Sequence, residues 1–133
     1  MQNHSVEMSS IHVGSVTSVQ WTNITGTTGE QYLLTGGADG VVNIFDARMM
    51  WKPLVKCENA ECTEPVTDIQ CLYPSSLGDS YYVVSSNTSG MVSIWDPLNG
   101  DSVGMFMTNQ TVDRIDVVTG SKIVTSMFNP SCL

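Results

Sequence analysis

An internal echo constrains this chain more than any single residue. The stretch Leu33-Leu34-Thr35-Gly36-Gly37-Ala38-Asp39-Gly40-Val41-Val42-Asn43-Ile44-Phe45-Asp46 returns 50 residues later as Val83-Val84-Ser85-Ser86-Asn87-Thr88-Ser89-Gly90-Met91-Val92-Ser93-Ile94-Trp95-Asp96. In both copies, short apolar and β-branched runs flank a glycine-bearing segment, the pattern of two strands joined by a tight turn. Units that recur at such a period bury their apolar faces against each other, so the chain reads as an array of small sheets.

The same offset extends outward from the echo. Val16 to Trp21 reads as a preceding strand, with Thr17, Val19 and Trp21 on one face by the period-2 rule, and Thr22 to Glu30 as its exit loop. Gln31 to Thr35 and Val41 to Asp46 are then strands either side of the turn Gly36 to Gly40. Val66 to Cys71, the loop Tyr73 to Ser80, Tyr81 to Ser85 and Met91 to Asp96 repeat the series. Lys52 to Cys57 and Val103 to Thr108 are predicted as fourth, outer strands, and Pro53 with its neighbouring lysines suits an exposed edge. A third unit opens with Val112 to Val117 and Lys122 to Ser126. No third strand of that unit is legible, and Ser5 to Ile11 reads as an outer strand of a unit otherwise absent. No segment has a helical pattern, and neighbouring strands this close in sequence favour an antiparallel meander.

Composition excludes several function classes. Hydrophobic residues are 41% of the 133 and charged residues 14%, enough apolar content for a core and too much for disorder. A formal charge of -8 opposes phosphate backbones and anionic lipid, so neither direct nucleic-acid binding nor membrane binding is expected. No apolar run approaches the ~18 residues of a membrane span, and the opening Met-Gln-Asn-His-Ser-Val-Glu does not resemble a secretion signal. The expected location is cytoplasmic or nuclear, in soluble form, with the sequons at Asn3, Asn23, Asn87 and Asn109 unused. Cys57, Cys62, Cys71 and Cys132 are too few and too loosely spaced for a disulfide framework. Cys57 and Cys62 could begin a zinc site, but a second close pair is missing and His4 and His12 stand far from them; no metal is expected.

The repeat closely resembles the WD40 repeat, the blade unit of a β-propeller. His12, Thr35, Asp39-Gly40 and Phe45-Asp46 occupy the positions of that family's histidine, hydroxyl, Asp-Gly turn and Trp-Asp pair. Cys62, Ser85, Ser89-Gly90 and Trp95-Asp96 occupy them in the second unit. The resemblance covers about residues 11 to 128. It implies an all-β fold, a partial WD40-like β-propeller built of antiparallel four-stranded blades: blade 1 at about 12-57, blade 2 at about 62-108 and an incomplete blade 3 at about 109-133. It further implies a structural hydrogen-bond network within each blade, running from the turn Asp through His and the hydroxyl to the Trp indole. By that pattern His12, Thr35 and Asp39 form a network lacking an indole because Phe45 replaces Trp. Ser85 and Trp95 keep only the far end of theirs, so packing should hold blade 2 more than polar contacts do.

Other chemistry at these residues fits less well. Thr35, His12 and Asp39 supply the types needed for nucleophilic catalysis, but a threonine within a strand is a poor nucleophile and the network already explains all three. Gly36 to Gly40 lacks the Lys-Ser/Thr of a phosphate loop and leads into a strand, so no nucleotide or other cofactor is expected. Asp113 and Asp116 read as solvated surface. The aromatics Trp21, Phe45 and Trp95 recur at strand positions and read as core between blades. Trp51 breaks the repeat, since Asp101 stands at the matching position, and with Met49 and Met50 it forms a possible protein contact.

Two and a fraction blades leave apolar sheet faces uncovered where a closed propeller has ~four to eight blades. The expected function is therefore a non-catalytic protein–protein interaction scaffold, a subunit or segment of a larger complex whose partners are other protein subunits, of which one could complete the propeller. A ligand-binding or enzymatic propeller fragment, or an inert truncated form of a longer WD40 protein, is the alternative.

Overall fold

The computed structural model describes residues 11–23, 31–49, 52–72, 81–118 and 122–127. Among them are ten strands: β1 (Val16–Asn23), β2 (Gln31–Gly37), β3 (Val42–Asp46), β4 (Val55–Cys57), β5 (Val66–Leu72), β6 (Tyr82–Asn87), β7 (Met91–Trp95), β8 (Ser102–Met107), β9 (Val112–Val118) and β10 (Lys122–Met127). β1 to β4 form one antiparallel meander and β5 to β8 a second, each ordered as in the chain, while β9 and β10 form a two-stranded sheet. The fold is all-β, with four-stranded antiparallel sheets arranged as in a propeller.

Each first strand carries an irregularity at its second residue. The register slips between Val16 and Ser18, between Val66 and Asp68, and where Val112 and Arg114 meet Met127 and Ser126. Such a bulge inserts one residue and resets the inward alternation, so the buried positions of β5 and β9 are spaced three apart, Val66 with Ile69 and Val112 with Ile115. It also corrects the expected face of β1. Val19 and Trp21 lie opposite Thr35 and Leu33, whereas Thr17 falls in the bulge and its hydroxyl donates to the Gly36 carbonyl at 3.1 Å.

The core lies between sheets rather than within one. Leu34, Val42, Ile44 and Cys57 of the first sheet meet Val66, Ile69, Tyr81, Val83 and Trp95 of the second. A second cluster joins Leu72, Val84 and Val92 to Val112 and Ile115 of β9. Consequently both faces of the second sheet are packed, which is why β6 and β7 are apolar or small almost throughout. The β2–β3 and β6–β7 turns place Gly40 and Gly90 at φ of 78° and 91°, in the left-handed region where a side chain would be strained.

The outer strands are shorter or shifted relative to the sequence pattern. β4 begins at Val55 rather than Lys52, because Leu54 already turns its amide to the Ile44 carbonyl at 2.7 Å outside a regular ladder. β8 runs one residue earlier than Val103 to Thr108, with a bulge at Val103.

Candidate functional site

The β2–β3 turn gathers the first polar cluster. His12 lies beside this turn, its Nδ1 3.1 Å from Asp39 Oδ1 and its Nε2 2.8 Å from Thr35 Oγ1. An ionised Asp39 can only accept, so Nδ1 carries the ring proton and Nε2 accepts from the Thr35 hydroxyl. Asp39 also accepts from the Val13 amide at 2.8 Å and the Val41 amide at 3.1 Å, tying the entering chain to the turn. Burial pushes the Asp39 carboxyl up, but those two amides and then His12 outweigh it and hold the carboxyl below its ordinary value. His12 and Thr35 are buried, and Thr35 is fully enclosed, so its hydroxyl has no access for a nucleophilic role. The Asn43 amide nitrogen lies 3.5 Å from the same His12 Nε2.

In the second sheet the Trp95 indole N–H donates to Ser85 Oγ at 2.8 Å inside the core. The turn beside it is held by a residue that sequence reading passed over. Asn87 Oδ1 accepts from the Ser89 amide at 3.0 Å, the Ser89 hydroxyl at 2.7 Å and the Met91 amide at 2.9 Å. Asn87 thus takes over turn bracing from two positions before the residue matching Asp39, and the signal was present: Asn followed by Thr-Ser-Gly favours an Asx-turn. Polar contacts therefore support the second sheet more than expected. Thr67 Oγ1 and Ser86 Oγ, 2.7 Å apart, add a further link beside the bulge.

Cys62, at the position matching His12, is buried, and its thiol is raised by burial and then by the Glu61 charge. Cys57 sits in the core between sheets, where burial and then Asp96 push its thiol up to about 12. Both thiols are consequently poor nucleophiles at neutral pH. Among the described residues no group of three His, Cys, Asp or Glu side chains is placed to hold a metal. Thr67, Asp68, Gln70, Asp113, Arg114 and Asp116 border an open cleft of about 640 Å³ between β5 and β9. Asp68 there accepts the Ile115 amide at 2.8 Å, bracing the second sheet against the third.

The exposed surface carries a different signal. Of the aromatics read as inter-blade core, Trp95 and Phe45 are buried, but Trp21 is 53% exposed and its neighbour Val19 57%. The residues matching them in the second sheet are Cys71 and Ile69; Ile69 is wholly buried against the first sheet and Cys71 packs beside it. Val19 and Trp21 therefore leave β1 exposed, although Leu33 and Phe45, beside Trp21 on the same face, are buried. Met49 is exposed, while Met50 and Trp51 lie outside the described residues, as do residues 24–30 and 73–80 of the two exit loops and residues 5–10 of the expected leading strand.

No protein-family model and no curated protein matches the sequence. Solved structures do match in fold. The β-propeller domain of Myceliophteria thermophila Cps50 (Swd1) aligns with a TM-score of 0.66 at 17% identity, over 86% of this chain and 33% of that one. The computationally designed Ika8 protein aligns at 0.64 with 19% identity, over 87% of this chain and 31% of that one. The designed Ika4 protein aligns at 0.55 with 16% identity, over 97% of this chain and 100% of that one. The chain thus spans about a third of the first two structures, and the likeness is one of fold: a partial propeller of four-stranded antiparallel sheets.

Proposed function

We propose that this chain is a non-catalytic protein–protein interaction platform, a WD40-type subunit or segment of a larger complex, and that another protein stacks on its first sheet. In this reading blade 1 is about 12–57, blade 2 about 62–108 and blade 3 an incomplete unit from about 109. His12, Thr35, Asp39, Ser85 and Trp95 are struts that shape the blades, and Met49 to Trp51 add a contact at the rim. The observation that carries the proposal is the contrast between Val19 with Trp21, half exposed, and the matching Ile69 and Cys71, packed against a neighbouring sheet. The two sheets share one strand order, and on the matching face Leu33 and Phe45 are buried while Val19 and Trp21 stay half exposed, so the uncovered apolar surface lies along β1 and supports a contact for a partner there. A reducing cytoplasmic or nuclear setting fits the buried thiols of Cys57 and Cys62, which form no disulfide. Among the described residues no helix is long and apolar enough to cross a membrane.

Affinity capture from the native source tests the reading. The wild-type chain should recover a stoichiometric protein that Val19→Ser/Trp21→Ser loses and Leu98→Ser, a change at a turn residue that is 87% exposed, retains. Recovery unaffected by the Val19/Trp21 change would contradict it.

A further inference from the structure

The outer edge of the second sheet has the features of a surface that pairs with itself. Edge strands are normally guarded by charge, proline or brevity. β4 shows all three devices: it is three residues long, follows Pro53 and is flanked and occupied by lysines. β8 shows none of them. It runs Ser-Val-Gly-Met-Phe-Met, no charged residue or proline occurs from Ser102 to Val112, and Met105 and Met107 are 43% and 60% exposed. Those methionines lie opposite Ser93 and Met91, on the side of Trp95, where the neighbouring four-stranded sheet is already in place and still leaves them uncovered.

The ladder fixes which backbone groups point outward. The Thr108 amide donates to the Gly90 carbonyl at 2.8 Å, so Gly90 and Thr108 form a hydrogen-bonded pair. Alternation makes Phe106 with Val92, and Gly104 with Ile94, hydrogen-bonded pairs as well. Met105 and Met107 consequently turn their N–H and C=O groups away from β7, towards the edge.

We propose that β8 pairs antiparallel with β8 of a second copy of this chain about a two-fold axis at Met105. In that register each Met105 exchanges both backbone hydrogen bonds with its twin. Phe106 falls directly opposite Gly104 of the second copy. That position has room for it: a β-carbon built at Gly104 would meet nothing nearer than Ile94 Cδ1 at 3.9 Å. An aromatic laid over a cross-strand glycine is a favourable pairing. No charged side chain occurs from Ser102 to Val112, so the two acidic chains join there without opposed charges. The self-complementarity favours a second copy over an unrelated strand, and a six-residue contact buries less than the ~800 Å² per partner of a stable interface, making the pairing reversible. Because both copies carry -8, the association should strengthen as salt screens them.

Sedimentation velocity of the full 133-residue chain over a concentration series tests this. The weight-average mass should climb from 14.4 kDa towards twice that value, more steeply at high salt. Met105→Pro removes an outward N–H without touching the β7 ladder and should weaken dimerisation by at least about tenfold. Met105→Lys and Met105→Glu should each remain monomeric, whereas their equimolar mixture should associate, a result that a misfolded variant could not give. A wild type monomeric throughout, or a Met105→Pro chain associating like wild type, would overturn the proposal. Association lost with Trp21→Ser but retained with Met105→Pro would assign it to the exposed β1 of the first sheet and would overturn it equally.

Discussion

Asp39 shows how much one side chain organises. It accepts from Val13, Val41 and His12 at once, so the β2–β3 turn, the chain entering the first sheet and the buried Thr35 hydroxyl form one unit. The folded carboxyl lies below the ordinary 3.8, so the folded state binds its proton less readily than the unfolded chain does. The stabilisation is complete above that ordinary value and disappears as pH falls through the lowered folded one. Asp39→Ala should cost about 2 kcal/mol at neutral pH, from several hydrogen bonds lost around partly buried donors. Urea unfolding should find the gap between wild type and Asp39→Ala shrinking once the pH drops below 3.8; a constant gap would show that Asp39 acts by packing alone. His12, Thr35 and Asp39 were legible in sequence because each keeps its expected place. Asn87 was not, because bracing there comes from a residue displaced by two, an exchange that position-by-position comparison does not reveal.

At the scale of elements, the period-2 pattern located the strands and missed their bulges. One extra residue shifts inward positions without altering apolar content, so Thr17 looked equivalent to Val19 although it sits in the irregularity. The two sheets also approach closely beside the β1 bulge. Gly36 lies where a β-carbon would come within 2.5 Å of Val66 Cγ1 and 3.1 Å of Ile69 Cδ1, both on β5. Gly36→Ala should therefore wedge the two sheets apart and lose about 1–3 kcal/mol, against the gain usual when glycine is replaced in a strand. Combining it with Val66→Ala should recover part of that loss. A double-mutant cycle in urea with additive effects, or a Gly36→Ala chain more stable than wild type, would place the contact between sheets elsewhere.

Across the whole molecule, the echo at 50 residues was sufficient to read a stack of small sheets, since strand order, antiparallel pairing and the buried second sheet all follow from it. What the echo concealed was the inequality of matching positions. Trp21 and Trp95 looked alike as recurrent aromatics, yet Trp95 is enclosed between sheets and Trp21 is half exposed on β1, because burial depends on a neighbour that sequence periodicity does not specify. The same reasoning separates β4 from β8: both are outer strands, but only β4 is guarded. The most direct measurement of the central claim places a benzophenone photocrosslinker at position 21 of the chain in its native source, with position 98 as a control that is 87% exposed but lies on a turn. The account predicts one dominant protein adduct from position 21 and none in common with position 98. No adduct at position 21, or the same set from both, would contradict it.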